Sequence, residues 1–311
     1  RAGIAADDPA ELHRDPLDIP GALLATATIV FALVAPTMFV DDGAGSWMPW
    51  AMTAAAIVAA ALFVLRERSA RHPLLDLGLL ARPLVSSGLA FKAAAGLATA
   101  GLSYLVTLQL QLAWGWPPAL AALGMLPQVV VLLALGPFVN PFVERVGIRR
   151  AAWMSAAAVV AGLAVYAVFN SLGYVFVAIA LALVAAGLRM IGVVAAINVL
   201  SGLPKNRTTI GAALTDTTTE VANGVGIAVA GTILAALFTG SITASGWTGR
   251  QVAEFQGAAT LGGLVLTAIA AAFVVFGFVR SHRAGDTEEG STEDAVTDTA
   301  AADRAAADPA V

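Results

Sequence analysis

The stretch YVFVAIALALVAAGLRMIGVVAAINVL, residues 174–200, contains a single charged residue, Arg189. A helix needs about 20 apolar residues to cross the hydrocarbon core of a bilayer, which is roughly 30 Å thick. A helix that is apolar all round has no polar face to present to water. This stretch therefore predicts a transmembrane helix, and it sets the expectation of a membrane protein for the rest of the chain.

Seven further stretches on either side have the same character. The eight predicted spans are residues 19–40, 49–65, 84–112, 119–139, 151–169, 174–200, 208–238 and 257–280. Pro127 interrupts the fourth span and predicts a kink there. The sequence therefore predicts an all-α integral membrane protein with about eight transmembrane helices.

Composition agrees with this prediction and excludes several kinds of site. Hydrophobic residues make up 59% of the chain and charged residues 12%, whereas soluble domains carry about 25% charged residues. Cysteine is absent, and His13, His72 and His282 all lie outside the apolar spans. No phosphate loop, nucleophile triad or metal motif is present. We therefore expect neither an enzyme nor a cofactor, and we expect no nucleic-acid partner.

Basic residues distinguish the two sides of the membrane. One set of loops and chain ends holds Arg14, Arg66, Arg68, Arg71, Arg82, Arg145, Arg149, Arg150, Lys205, Arg207, Arg280 and Arg283. The opposite loops hold only Arg250. The positive-inside rule places both ends of this chain in the cytoplasm, so we expect a multi-pass protein of the inner (plasma) membrane. The acidic segment 281–311 is predicted to be a disordered cytoplasmic tail.

Several motifs carry a resemblance to a known family. The segments LDIPGALL (17–24) and ERSARHPLLDLGLLARPLV (67–85) resemble the centre of the fourteen-span drug:proton antiporters of the major facilitator superfamily. YLVTLQLQLAWGWPPALAALGMLP (104–127) is similar to the next helix pair of those proteins. NPFVERVGIRR (140–150) resembles the second copy of the superfamily's cytoplasmic loop motif, with Asn140 in place of glycine and Glu144 in place of aspartate.

The resemblance implies an organisation for the chain. Residues 1–18 would be the remnant of a cytoplasmic loop, and residues 19–65 two linker helices. Residues 66–83 would form a second cytoplasmic loop, and residues 84–280 the six-helix C-terminal bundle. The chain starts with arginine, and the family's six-helix N-terminal bundle is missing from it. We therefore expect the C-terminal part of a longer transporter, with that bundle as its partner.

The seventh span narrows the resemblance. GAALTDTTTEVANGVGIAVAGTI (211–233) is similar to the corresponding helix of quaternary-ammonium and cationic-dye exporters of the QacA type, and Asp216 and Glu220 fall on the two acidic positions of that helix. The tenth span of those exporters also carries an acidic residue, whereas the matching span 119–139 has none.

Four charged residues, Lys92, Arg189, Asp216 and Glu220, lie in the interior of the spans. A charge at the centre of a bilayer costs about 2.5–3.5 kcal/mol, so such residues usually face protein or water. Asp216 and Glu220 are four residues apart and share a helix face. Arg189 lies on the preceding helix at a similar depth, so we predict that it can pair with Glu220. The group would be either a structural ion network or a proton and substrate coupling site with Arg189 as counter-ion.

The other polar residues in the spans and loops each have two alternative roles. Lys92 is either a snorkelling lysine or a cation of a cavity. Tyr104, Gln109, Gln111, Asn198 and Asn223 lie on helices that line the cavity in the family, or else they join neighbouring helices. The cytoplasmic loop motif, made of Glu144, Arg145, Gly147, Arg149 and Arg150, either locks one conformation, as the family implies, or serves only as a topology signal.

These observations lead to one favoured hypothesis. The chain would be the C-terminal part of a proton-coupled exporter that works by alternating access. Its partners would be protons, the lipid bilayer and hydrophobic drugs or metabolites, with cationic amphipathic compounds as one candidate class. The alternatives are a non-transporting remnant or half-transporter scaffold, and an exporter of an endogenous lipid, peptide or antibiotic.

Overall fold

In a computed structural model of the chain, the structure describes residues 18–41, 46–70, 77–203, 208–238 and 247–306. The helices are α1 Ile19–Asp41, α2 Trp47–Ser69, α3 Leu77–Leu80, α4 Pro83–Leu108, α5 Pro118–Gly124, α6 Leu126–Leu135, α7 Val139–Val146, α8 Ile148–Phe169, α9 Tyr174–Ser201, α10 Thr208–Leu237 and α11 Gly249–Ala306. A π-helical segment, Gln109–Ala113, extends α4. Residues 1–17 of the predicted loop remnant 1–18 lie outside the described residues, as do the basic residues Arg71, Lys205 and Arg207. Arg14 belongs to the same undescribed part of the remnant.

The helices have the length and composition of membrane spans. Seven helical stretches of the described chain are long and apolar enough to cross a bilayer, and the first 17 residues of α1 form a shorter apolar helix. The stretches Pro83–Ala113, Pro118–Val146 and Tyr174–Ser201 start within one residue of the predicted third, fourth and sixth spans. The prediction of an all-α multi-pass membrane protein is therefore confirmed.

The fourth predicted span is broken twice. α5 ends at Gly124, α6 starts at Leu126, and Pro127 occupies the first turn of α6. A proline in a helix removes one backbone hydrogen bond and displaces the preceding turn, so the predicted kink is confirmed. A second break is a 3-10 turn, Gly136–Phe138, which separates α6 from α7.

The backbone of α11 continues beyond the predicted eighth span and is helical to Ala306. The disordered cytoplasmic tail expected for residues 281–311 stays a prediction. An established helix extends more easily than a new helix starts, because propagation does not repeat the cost of nucleation. Alanine, the best helix former, is frequent between Ala295 and Ala306. These two effects explain the continuation.

α4 is the central helix of the bundle, since it packs against α9, α10 and α11. α8 packs against α9 and α11, and α1 joins α2 to α10. Small residues permit the closest approaches: a methyl group on Gly187 of α9 would lie 2.7 Å from the Ser155 carbonyl oxygen of α8. Backbones this close to each other give the van der Waals contact that holds membrane helices together.

Arginines at the helix ends tie neighbouring helices together. Arg82 donates from Nη1 to the Gly202 carbonyl oxygen at 3.0 Å, which links the start of α4 to the end of α9. Arg66 at the end of α2 forms a 3.0 Å ion pair with Asp18 at the start of α1. The hydrogen bond from Arg66 holds the pKa of the Asp18 carboxyl below its usual value. These arginines therefore have packing roles in addition to a topological one.

Candidate functional site

The two carboxylates of α10 are exposed in the described chain. Asp216 and Glu220 are one turn apart on the same helix face, and neither is covered by another described helix. Glu220 accepts a 3.4 Å hydrogen bond at Oε2 from Nδ2 of Asn223. Thr215 and Thr219, on the neighbouring face, donate to carbonyl oxygens of α10 itself. The acidic face is thus formed by Asp216, Glu220 and Asn223.

Arg189 lies elsewhere, and the predicted ion pair between Arg189 and Glu220 is not formed. The Arg189 guanidinium lies over Gly136, where a methyl group would be 3.2 Å from Nη2. Gly136 follows α6, and α6 packs against α9. α4 lies between α9 and α10, which contact each other only slightly. Equal depth on consecutive helices therefore did not bring the two side chains together.

Lys92 of α4 lies between two close contacts of that helix with its neighbours. A methyl group on Gly88 of α4 would lie 2.8 Å from the Ala195 carbonyl oxygen of α9. A methyl group on Gly96, two turns later, would lie 2.9 Å from the Thr219 carbonyl oxygen of α10. Lys92 is four residues from both glycines and shares their helix stripe. The half-buried Lys92 therefore lies on the α4 surface between the contact with α9 and the contact with α10. We call this part of the α4 surface the α4 furrow.

The α4 furrow borders the acidic face of α10. Asn223 reaches α4, because its Oδ1 lies 3.1 Å from the position of a methyl group on Gly96. α4 and α10 both start at the end predicted to be cytoplasmic. Gly96 of α4 and Thr219 of α10 are in contact. Lys92 and Asp216 each lie about one helical turn before these residues, nearer to the predicted cytoplasmic end. A cation and a carboxylate therefore stand at the same level beside one furrow.

The remaining cavity candidates divide into two groups. Gln109 is buried and donates to the Asn170 carbonyl oxygen at 2.8 Å, so it joins α4 to the end of α8. Asn198 is also buried, 3.5 Å from Ser87 Oγ, and joins α9 to α4. These two are contacts between helices. Tyr104 and Gln111 are half-buried, and Tyr104 lies beside Gly231 of α10.

One polar contact at this side of α4 was not predicted from the sequence. Ser103 donates to Gln128 Oε1 at 3.2 Å and joins α4 to α6. Ser103 lies eleven residues after Lys92, which places it on the same helix face. The available signal was Gln128 itself, a polar residue inside an apolar span directly after Pro127.

The cytoplasmic loop motif includes the end of α7, the turn at Gly147 and the start of α8. Glu144, Arg145, Arg149 and Arg150 are exposed. Arg149 Nη2 lies 3.1 Å from His282 Nε2, which connects α8 to α11. Within the described chain Glu144 forms no ion pair. The loop therefore presents mainly positive charge on this side.

Gly147 is the residue that allows this turn. Its φ is 86° and its ψ is 149°, a conformation that is essentially limited to glycine. We expect Gly147→Ala to destabilise the chain by about 1–3 kcal/mol, although no neighbouring atom would meet the new methyl group. The measurement is the thermal unfolding midpoint of the purified chain in detergent. Gly249→Ala, which also meets no neighbour but lies at a helix start, is the control, and equal midpoints for the two variants would contradict the expected strain.

Comparisons with known proteins give partial similarities. No family model matches the chain. The Lincomycin resistance protein of Streptomyces lincolnensis is 33% identical over 141 residues, which are 45% of this chain and 29% of that protein. The Cephamycin export protein CmcT of Amycolatopsis lactamdurans is 32% identical over 130 residues, which are 42% of this chain and 27% of that protein. The matched region thus spans less than a third of the length of these curated relatives.

Proposed function

We propose that this chain is the C-terminal part of a proton-coupled exporter of the fourteen-span drug:proton antiporter family. The observation that carries the proposal is the pair of exposed carboxylates, Asp216 and Glu220, within an apolar membrane-spanning helix. The partial similarity to an antibiotic export protein and an antibiotic resistance protein supports transport as the activity.

The two carboxylates of α10 require protein or water around them in place of lipid. Each would cost about 2.5–3.5 kcal/mol against acyl chains, and the described helices leave both exposed. A second six-helix bundle packed over the α4 furrow would replace lipid by protein and by an enclosed, water-filled cavity. Such a cavity between two bundles is where transporters of this kind bind substrate, and rocking of one bundle against the other opens it to alternate sides.

Competition for the carboxylates would couple proton entry to export. A low-dielectric site favours the protonated carboxyl, and a nearby cation favours the ionised form. In this proposal Lys92 is the internal counter-ion, because it stands at the level of Asp216 in the same furrow. A proton and a cationic substrate then exclude each other, and this exclusion is a reciprocal coupling free energy between the two ligands. Arg189, at the α6–α9 boundary, would act on the opposite flank of the cavity.

The substrate would be an antibiotic-like small molecule. The names of the two relatives refer to lincomycin resistance and cephamycin export. These names favour a second form of the proposal, in which the substrate is an antibiotic without a required positive charge and the carboxylates carry only protons. Transport of a cationic dye distinguishes the two forms. In both, the protein lies in the inner membrane with the two ends of this chain in the cytoplasm.

Everted membrane vesicles test the proposal. The gene product that contains this chain is expressed together with any upstream coding sequence. Everted vesicles are prepared from these cells, and a proton gradient that is acidic inside is imposed across the vesicle membrane. We expect uptake of ethidium, lincomycin or a cephamycin into the vesicles, and we expect uptake to stop when the gradient is dissipated. Uptake of the antibiotics without ethidium would favour the second form. Vesicles that take up no probe beyond the level of vesicles lacking the protein would contradict the proposal and favour a non-transporting scaffold.

A further inference from the structure

A second feature lies on the opposite side of α4, away from the carboxylates. α10 and α11 diverge there and leave a groove whose floor is α4. The groove contains two adjoining cavities of about 610 and 380 Å³, which share Leu80, Ala93, Thr218 and Phe273. Its lining is almost entirely apolar, and the exposed side chains of Phe273 and Phe276 form one wall. We call it the α10–α11 groove.

The groove has the length of one bilayer leaflet. On α4 it extends from Ser86 to Leu97, which is ~16 Å at about 1.5 Å per helical residue. Half of a hydrocarbon core of roughly 30 Å is about the same distance. Ser86 lies near the end of α4 that is predicted to be cytoplasmic. The groove therefore fits an acyl chain of the cytoplasmic leaflet.

A cation stands at the cytoplasmic end of the groove. Arg280 of α11 donates from Nε to Ser86 Oγ at 2.8 Å, and Ser86 itself lines the groove. Nη2 of Arg280 donates to the Ala81 carbonyl oxygen. These contacts fix the guanidinium but engage only part of its five N–H donors. Within the described residues Arg280 forms no ion pair, so its charge is available to an anion.

We propose that the α10–α11 groove is a binding site for an anionic phospholipid of the cytoplasmic leaflet. One acyl chain lies along Ala93 and Phe273, and the headgroup phosphate accepts hydrogen bonds from Arg280. A planar guanidinium matches the geometry of phosphate oxygens. Basic pockets between membrane helices on the cytoplasmic side are suited to such headgroups. A zwitterionic lipid fits the apolar part equally well but gains less from the single positive charge.

Native mass spectrometry of the purified, delipidated chain tests this site. The chain is mixed with equal amounts of dioleoyl phosphatidylglycerol and dioleoyl phosphatidylcholine. We expect the first bound lipid to be phosphatidylglycerol with a preference of about fivefold, the effect of one basic residue near an anionic surface. Arg280→Gln should remove the preference. Ala272→Phe, at an exposed position of the groove, should lower the occupancy of both lipids.

Two control variants and one soluble competitor test whether the changes in lipid binding are specific to the groove. Arg150→Gln removes an exposed cytoplasmic arginine, and Ala157→Phe enlarges an exposed alanine on α8; both should bind as the unmodified chain does. Glycerol phosphate, which has no acyl chain, should not displace the lipid. Equal retention of the two lipids, or Ala272→Phe binding like Ala157→Phe, would overturn the proposal. Because Ala272→Phe does not alter Arg280, this test remains valid if Arg280→Gln impairs folding.

Discussion

Asp216→Asn or Glu220→Gln is expected to abolish proton-driven uptake of a cationic dye by everted vesicles. The amides keep the shape of the carboxyls, and like a protonated carboxyl they have one donor group and one acceptor oxygen. They neither bind nor release a proton. Without this exchange, proton binding can no longer change the affinity for the substrate. Coupling between two ligands typically changes affinity by about 5- to 150-fold. We expect at least one of the two variants to lose the whole gradient-dependent part of the uptake, measured as the initial rate with and without the gradient.

Three further variants make the test specific. Glu254→Gln alters a carboxylate at the far end of α11, which pairs with Arg250, and should leave uptake unchanged. Lys92→Gln should reduce the gradient-dependent rate more than Arg189→Gln does, because Lys92 shares the furrow with Asp216 while Arg189 lies over Gly136. Unchanged dye uptake in both carboxylate variants, with normal amounts of protein in the membrane, would contradict the coupling mechanism.

Gly187→Ala is expected to give a large loss of stability for the addition of a single methyl group. The new carbon would lie 2.7 Å from the Ser155 carbonyl oxygen and 2.9 Å from the Val159 amide nitrogen. Both are backbone atoms of α8, so neither can rotate away as a side chain does. The helices must separate along their interface, and overpacking of this kind costs about 1–3 kcal/mol. The measurement is the unfolding free energy of the purified chain in mixed micelles with increasing denaturing detergent.

Gly192→Ala provides the matched control on the same helix. Gly192 is five residues later in α9, and a methyl group there would meet no heavy atom of the described chain within 4 Å. Replacing a glycine inside a helix by alanine removes an entropic disadvantage of up to about 1 kcal/mol. We therefore expect opposite signs for the two substitutions. A destabilisation of equal size in both would show that α9 tolerates no change of this kind and that the contact with Ser155 is not its cause.

The positions of the spans were predictable, with ends up to eight residues from those of the apolar helices in the structure. The eight spans follow from apolar length, and this property requires no knowledge of the neighbouring helices. The break in the fourth span follows from Pro127, because a proline removes a hydrogen bond wherever a helix contains it. The candidate charges were also recognisable, since Lys92, Arg189, Asp216 and Glu220 are the charges in the interior of the spans.

Contacts between helices could not be predicted in this way. The depth of a residue follows from counting along one helix, but the neighbours of a helix depend on how all helices pack. Arg189 and Glu220 were matched in depth, yet α4 separates α9 from α10. Gln109 and Asn198 had the polarity of cavity residues, yet both are buried in contacts between helices.

The sequence by itself determined that this is a membrane protein, where its spans lie and which charged residues must be shielded from lipid. The reason is that insertion of a segment into a bilayer depends on the composition of that segment alone. Only the tertiary structure decided that Lys92 lies in the furrow beside the acidic face and that Arg189 lies over Gly136. The physical reason is steric: Gly88 and Gly96 let α9 and α10 approach α4 so closely that α4 fills the space between them.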